Sequence, residues 1–371
     1  MSTSTTRVLF TGASGYIGGT LLKHILLDPS LKSALEIFAL VRSDSHVETV
    51  KAMGITPLQM DMMDEDAVRK AVIDNEITFA IHTASCFEFA PAKAMIEGLA
   101  AVKQKTGKVV HFIATSGAKA FSSQAGIPLE SEGTISDAGA VYEIQKKYKA
   151  IFPLLQKHVD VNNSIQELSE SLDVRSYLVV PPMVYGPGEG FGNKISIQYV
   201  ALVAIAAKLG KLWCIDEESA SWPLMHLHDM TTLYLALIRS ILSSSPSPPY
   251  GKPPPPTPQG YYFAENGTFN WVSLSLSILK HLNSPPSSST TPKLVQDADV
   301  KVPEATPQDI EAMAQVISYP AFMVPLAISG RCDIRGDNAR KALGWSPVYG
   351  VEHLMGSVGE EVDFILGHLP K

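Results

Sequence analysis

The 371-residue sequence predicts an α/β fold built on a doubly wound parallel sheet. Two observations predict it. The glycine turn TGASGYIGG at 11–19 lies between an apolar run at 8–10 and an apolar-periodic helical stretch. Short apolar runs then alternate with helical segments as far as residue 183, a pattern typical of parallel strands joined by crossover helices.

The glycine turn is the expected dinucleotide site. Gly12 allows a tight turn, Gly15 lets the backbone approach a pyrophosphate, and Gly18 lets the helix pack closely on the strand. The free N–H groups and the dipole at the start of the helix favour an anion there. The other residues of the turn expected to contact the cofactor are Ser14, Tyr16 and Ile17.

The second strand, 37–41, ends at Arg42, and no acid follows until Asp44. In dinucleotide-binding folds an acid at this strand end accepts a hydrogen bond from the ribose of NAD, whereas an arginine accommodates the 2′-phosphate of NADP. The sequence therefore favours NADP over NAD as the cofactor.

The following segments continue the alternation. They are strands 58–61, 79–82 and 109–113 and helices 64–74 and 90–106. Asp61 ends the third strand and Met62 follows it, and Thr83, Ala84 and Ser85 follow the fourth. Because parallel strands end at one edge of a sheet, these residues are expected beside the cofactor.

Several motifs together resemble those of the extended short-chain dehydrogenase/reductase family, the NAD-dependent epimerase/dehydratase group. They are TGASGYIGG, the Val41-Arg42 strand tip, Asp61, HTAS at 82–85, TSG at 115–117 and PPMVYGPG at 181–188. MHLHDMTTLYLAL at 225–237 and NARKALGWSP at 338–347 look like the family's C-terminal landmarks, so the resemblance covers nearly the whole chain.

The resemblance implies an NAD(P)-binding Rossmann domain at 1–183 and a mainly substrate-binding lobe at 184–371, some elements of which return to the first domain. It adds Pro181 and Val184 to the expected cofactor contacts. The serine- and proline-rich stretches 243–258 and 283–294 are expected to be flexible loops.

The resemblance also implies a catalytic serine or threonine, a tyrosine and a lysine, with the tyrosine transferring the proton. Tyr142 and Lys146 have the required spacing, but Pro153 interrupts a helix that begins at Tyr142. The helix that fits the family's architecture starts nearer His158, which then takes the tyrosine's place, with Asn162 in the lysine's. The catalytic pair is therefore either Tyr142 with Lys146 or His158 with Asn162.

Two departures from the family pattern accompany this one. Gly117 occupies the usual serine position, which leaves Ser116 or Thr115 as the nearest hydroxyl, and Met95 stands where many members have asparagine. Candidates for lining a substrate pocket are Phe191, Asn193, Trp213 and Trp222. The apolar stretch 313–326 is expected either to cover that pocket or to pack in the core.

Composition excludes other classes of function. A net charge of −7 without a basic stripe argues against nucleic acid, and no apolar run is long enough to span a membrane. Cys86, Cys214 and Cys332 have no metal or disulfide spacing, and His226 and His228 alternate as in a strand, so no metal is expected. A short polar start favours a cytoplasmic protein; a homodimer stays open.

The predicted function is that of an NADP(H)-dependent oxidoreductase or epimerase of a small organic carbonyl or alcohol, with a specialised metabolite favoured over a sugar nucleotide. Ser116 would hold the substrate oxygen, and His158 or Tyr142 would transfer its proton. One alternative is a non-redox isomerase, dehydratase or cyclase on the same fold. Another is a non-catalytic regulator that senses NADP.

Overall fold

A computed structural model describes residues 5–243, 260–284 and 300–369. The strands are β1 (Thr6–Thr11), β2 (Leu35–Val41), β3 (Thr56–Gln59), β4 (Phe79–His82), β5 (His111–Thr115), β6 (Ile135–Ser136), β7 (Arg175–Val180), β8 (Met183–Tyr185), β9 (Ser221–His226), β10 (Tyr261–Phe263), β11 (Thr268–Asn270) and β12 (Ile334–Arg335).

The helices of the N-terminal half are α1 (Tyr16–Leu27), α2 (Pro29–Ala34), α3 (Asp44–Ala52), α4 (Glu65–Asp74), α5 (Phe89–Thr106), α6 (Leu129–Glu132), α7 (Val141–Lys147) and α8 (Pro153–Ser171). Those of the C-terminal half are α9 (Gln198–Leu209), α10 (Leu227–Leu242), α11 (Trp271–Asn283), α12 (Pro307–Ile317), α13 (Val324–Ile328), α14 (Asp337–Leu343), α15 (Val351–Gly356) and α16 (Val358–His368).

The main sheet has seven strands in the order β3-β2-β1-β4-β5-β7-β10, and every pairing is parallel. The strand order reverses between β1 and β4, which is where such sheets bind ligands at their carboxyl ends. The predicted doubly wound sheet is therefore confirmed. The predicted third and fifth strands lie two residues from the observed ones, at Thr56–Gln59 and His111–Thr115.

Both faces of the sheet are covered by helices. Along β1, Leu9 packs into one core cluster with α4, α5 and α8, while Val8 and Phe10 pack into another with α1 and α10. Successive side chains of a strand point to opposite faces, so a strand buried on both sides is apolar throughout. This explains the uninterrupted apolar runs in the sequence.

The C-terminal lobe contains a three-stranded sheet in the order β11-β9-β8, packed among helices that include α9 and α11. Two elements from the C-terminal half of the chain lie against the main sheet and its helices: β10 pairs with β7, and α10 packs against α1. The predicted flexible loops lie outside the described residues, apart from Ser243 and residues 283–284.

One bent pair of helices is notable for its apolar character. Within the described ranges no single helix is long and apolar enough to cross a membrane. Pro307–Ile317 and Ala321–Ile328 pass that test only when taken together, and they meet at 91°.

Candidate active site

The glycine turn joins β1 to α1. Gly12 has φ +80°, a left-handed conformation that L side chains rarely adopt, and its carbonyl oxygen accepts a hydrogen bond from the Gly15 amide at 2.9 Å. A Cβ on Gly18 would lie 2.2 Å from Thr83 Oγ1 and 2.4 Å from Gly12 O. These two glycines are therefore required by the close approach of α1 to the ends of β1 and β4.

The start of α1 fits the pyrophosphate of a dinucleotide. Gly15 stands at the N-cap without a side-chain cap, and the first turn contains no acidic residue. The first N–H groups of a helix have no partner within the helix, and the dipole there favours an anion. The chain itself thus leaves this helix end free of a competing carboxylate.

A segment at 186–194 connects the lobe to the glycine turn. The Tyr16 hydroxyl donates a hydrogen bond to Gly186 O at 2.5 Å, and the Asn193 amide donates to Ser14 O at 2.8 Å. The Glu189 amide donates to Thr20 Oγ1 at 3.0 Å. The connection between the lobes is thereby held against the start of α1.

A cavity of about 540 Å³ opens beside this turn, at the carboxyl ends of the central strands. The predicted catalytic residues Ser116 and His158 line it. So do seven of the predicted cofactor residues, namely Tyr16, Ile17, Thr83, Ala84, Ser85, Pro181 and Val184. The structure thus brings the two predicted groups to one cavity.

The remaining predicted cofactor residues lie outside the lining of this cavity. Gly12, Ser14, Gly15 and Gly18 form the turn itself. Arg42 follows β2 and is exposed, and Asp61 and Met62 follow β3, where Asp61 Oδ1 accepts a hydrogen bond from the Met63 amide at 3.0 Å. Their contacts with a cofactor stay a prediction.

The predicted catalytic residues Ser116 and His158 form a buried hydrogen-bonded trio with Asn162, with the serine directly after β5 and the other two on α8. Ser116, directly after β5, donates a hydrogen bond from Oγ to Asn162 Oδ1 at 2.8 Å. The same Oγ lies 3.0 Å from His158 Nε2. His158 and Asn162 are four residues apart, so they share one face of α8, and both are 1% exposed.

The direction in which the Ser116 hydroxyl points determines the tautomer of His158. A serine hydroxyl has only one hydrogen to donate. When Ser116 donates it to Asn162, the serine oxygen must accept a hydrogen bond from His158 Nε2–H. His158 Nδ1 then carries the lone pair, and it has no partner among the described residues. If the hydroxyl turns to His158 Nε2 instead, the proton of the imidazole lies on Nδ1. Only in this second arrangement can His158 Nε2 accept a proton from Ser116 Oγ.

Burial keeps the His158 ring neutral. It lowers the pKa of His158 to about 4, so at pH 7 the imidazole is a proton acceptor. The Phe87 ring lies 5.1 Å from it, and a Cβ on Gly117 would lie 3.3 Å from His158 Cε1. The glycine at the family's usual serine position thus leaves room for the histidine.

The other candidate pair, Tyr142 and Lys146, is not brought to the cavity. Both side chains bind Glu167 Oε1, the tyrosine hydroxyl at 2.7 Å and the lysine Nζ at 2.8 Å. They lie on α7, and Pro153 starts the separate helix α8 that carries His158 and Asn162. The alternative in which an insertion delivers Tyr142 and Lys146 to the reaction centre is therefore corrected. The cause is the new helix start at Pro153.

The structure places only some of the expected substrate-pocket residues at the cavity. Trp222 lines the cavity, whereas Phe191, Asn193 and Trp213 do not. From the stretch 313–326, the cavity-lining residues are Tyr319, Met323 and Leu326. Met313 is fully buried in the core, so the stretch both covers the cavity and packs inside the lobe. Met95 is likewise fully buried in the core.

Lys119 is a cavity residue that the sequence did not single out. It lies three residues after Ser116, its Nζ is 4.0 Å from the centre of the Trp222 ring, and it lines the cavity. A lysine in the turn after a strand is common, and only the long-range packing of Trp222 and Ser329 distinguishes this one.

In the segment 226–229, the side chains of His226 and Asp229 accept hydrogen bonds from backbone amides. Asp229 Oδ2 accepts hydrogen bonds from the Val348 and Tyr349 amides at 2.9 and 2.7 Å, and His226 Nδ1 accepts from the His228 amide at 3.1 Å. In the part of the chain that the structure describes, no three His, Cys, Asp or Glu side chains are placed to hold a metal.

Sequence comparison relates the chain to one family and to fungal proteins. Residues 4–129 match the model of the NmrA-like family. The chain is 22% identical over 363 residues to the oxidase ucsJ of an Acremonium species, with 93% of each chain covered. It is 23% identical over 244 residues to the uncharacterized protein C2A9.02 of Schizosaccharomyces pombe, covering 64% of this chain and 72% of that protein.

Structure comparison covers the whole chain. UDP-glucose 4-epimerase from Thermotoga maritima is similar with a TM-score of 0.60 and 13% identity, over 98% of this chain and 100% of the epimerase. The dTDP-glucose 4,6-dehydratase from Bacillus anthracis, solved in complex with NAD, has a TM-score of 0.61 and 11% identity, over 98% of this chain and 97% of the dehydratase. L-threonine dehydrogenase from Phytophthora infestans has a TM-score of 0.58 and 14% identity, over 97% of this chain and 99% of the dehydrogenase.

These likenesses show the fold of the protein. The chain has the fold of the extended short-chain dehydrogenase/reductases, and its predicted resemblance to their NAD-dependent epimerase/dehydratase group is confirmed.

Proposed function

We propose that this protein is an NADP(H)-dependent oxidoreductase that acts on an alcohol or carbonyl group of a small, largely apolar organic molecule. The observation that supports it is the shared cavity, in which predicted cofactor contacts such as Tyr16 and Ser85 meet the hydrogen-bonded pair Ser116 and His158. Proton transfer and hydride transfer require this proximity.

The proposed cofactor is held at the edge formed by β1 and β2. Gly15 and the start of α1 bind the pyrophosphate through backbone N–H groups. Arg42, exposed at the end of β2, binds the 2′-phosphate and favours NADP over NAD. When bound, the nicotinamide takes up or supplies the hydride.

The proton moves through Ser116 and His158. The substrate hydroxyl binds Ser116 Oγ while the serine hydroxyl points to His158 Nε2, 3.0 Å away, in the tautomer that has its proton on Nδ1. As the substrate proton passes to Oγ, the serine's own hydrogen passes to Nε2. Because burial lowers the pKa of His158 to about 4, the ring is neutral and ready to accept that proton at pH 7. In the direction of alcohol oxidation the neutral ring acts as the base, and the carbonyl is the product.

The cavity lining favours a small organic molecule over a sugar nucleotide. Most lining side chains beyond the cofactor contacts are apolar, Phe87, Leu154, Trp222 and Met323 among them. Lys119 is the one lysine or arginine among the described lining residues. A sugar nucleotide brings a diphosphate, which proteins bind with several cations or with a helix N-terminus.

The test is a titration of the purified protein with NADPH and with NADH, followed by nicotinamide fluorescence. We expect NADPH to bind more tightly than NADH. Arg42→Ala should lower the affinity for NADPH by about tenfold and leave the affinity for NADH nearly unchanged. Arg175→Ala is the control, because Arg175 is exposed at the opposite, amino end of β7. Failure of both nucleotides to bind at submillimolar concentration would remove the redox proposal.

A further inference from the structure

Lys119 places a cation at the cavity, three residues after Ser116. Its Nζ donates hydrogen bonds to Ser329 O at 2.5 Å and to Gln124 Oε1 at 3.1 Å. Gln124 Nε2 in turn donates to Pro325 O at 3.0 Å, which directs the amide oxygen toward the lysine. An ammonium has three donors, so one remains after these two bonds, and the Trp222 ring face lies 4.0 Å away.

All of these partners are uncharged. No carboxylate of the described residues lies within ion-pairing distance of Lys119 Nζ, although most lysines and arginines in the same ranges have one. Burial lowers the pKa of Lys119 to about 7, against the opposing influence of Cys332 and Asp216. A cation among apolar groups without a counter-ion is costly, and an anion that enters the cavity relieves that cost.

We propose, building on the proposed function, that Lys119 binds an anionic oxygen of the substrate, a carboxylate or an ionised enol, while the apolar remainder lies against Trp222. Lys119 and Ser116 belong to one short segment that follows β5, so the anionic group and the reacting oxygen occupy the same cavity. The apolar lining residues Phe87, Ile197 and Tyr319 are partly exposed and suit an aromatic or aliphatic body next to that charge.

The experiment compares cinnamate with cinnamamide, two probes of nearly equal shape that differ by one negative charge. Their dissociation constants are measured by isothermal titration calorimetry, with and without NADPH. Wild-type protein is expected to bind cinnamate about tenfold tighter than cinnamamide. Lys119→Met, which removes the charge and shortens the side chain by one atom, is expected to bind both equally, and Lys119→Arg to keep the preference. Lys341→Met, at an exposed lysine of α14, is the control.

A second measurement on wild-type protein needs no variant to fold. Because the pKa of Lys119 is about 7, the ammonium is present below that pH and is lost above it. The affinity for cinnamate should therefore fall between about pH 6 and about pH 9, while that for cinnamamide stays constant. Equal affinities for the two probes overturn the inference. So does a preference that survives in Lys119→Met, or no binding of either probe at millimolar concentration.

Failure of this inference can be told apart from failure of the proposed function. Normal NADPH binding without a preference for cinnamate overturns only the role of Lys119. A preference for cinnamate in protein that does not bind NADPH overturns only the oxidoreductase.

Discussion

Ser116 Oγ lies 3.0 Å from His158 Nε2, although 42 residues separate the two in the chain. The end of β5 supplies the serine, and α8 supplies the histidine from the position expected of a tyrosine. Gly117 allows the imidazole to approach, since a Cβ there would lie 3.3 Å from His158 Cε1. The glycine at 117 and the serine at 116 therefore both suit a histidine at 158.

Removing the Ser116 hydroxyl should destabilise the protein. Ser116→Ala leaves His158 Nε2 and Asn162 Oδ1 buried without partners, and we expect a loss of about 1–3 kcal/mol in the free energy of unfolding. Urea denaturation measures it. Ser169→Ala is the matched control on the same helix as His158, because the buried Ser169 Oγ has no hydrogen-bond partner among the described residues. Equal effects of both changes would contradict the assigned bonds.

The glycine turn should not tolerate a methyl group at Gly18. In Gly18→Ala the new Cβ would lie 2.2 Å from Thr83 Oγ1 and 2.4 Å from Gly12 O, which forces α1 away from the sheet. We expect about 1–3 kcal/mol of destabilisation, together with weaker NADPH binding. In Gly367→Ala the Cβ meets nothing within 4 Å, so this change in α16 should be neutral or slightly stabilising. Thermal unfolding of the two variants makes the comparison.

Acid should destabilise the protein through His82. Burial lowers the pKa of His82 to about 4, whereas an unfolded histidine titrates near about 6.5. Unfolding therefore takes up a proton in this window, so the contribution is fully present above about pH 6.5 and is lost as pH falls toward about 4. It amounts to about 3 kcal/mol.

The effect of His82 is measured as a difference, because other buried groups titrate too. The free energy of unfolding of wild type should exceed that of His82→Gln by an amount that shrinks as the pH is lowered through this range. His368→Gln, at an exposed residue near the C-terminus, controls for the loss of an imidazole. A difference between wild type and His82→Gln that stays constant with pH would show that His82 is not buried in its neutral form.

The parts of the fold predicted from sequence are those with local causes. The glycine turn, the apolar strands and the helix break at Pro153 follow from steric preference and apolar periodicity within short windows. The same local pattern at Tyr142 and Lys146 was ambiguous, because the spacing of two side chains on a helix does not say which way that face points. Their contact with Glu167 resolves it.

The parts that sequence could not predict depend on residues far apart in the chain. Lys119 gains its environment from Trp222 and Ser329, and the bend that brings Tyr319 to the cavity lies between two short helices. Asp137 is a further example. Its buried carboxylate accepts hydrogen bonds from the Phe263, Asp337 and Asn338 amides and so joins the lobe to the sheet.

The most direct test of the central claim compares turnover in two variants, His158→Ala and Tyr142→Phe. The substrate is chosen from a panel of small alcohols, aldehydes and ketones by the absorbance change of NADP(H). If Ser116 and His158 carry the proton, His158→Ala loses about a hundredfold or more in kcat and Tyr142→Phe keeps wild-type kcat. Loss of activity in Tyr142→Phe with full activity in His158→Ala would contradict the account.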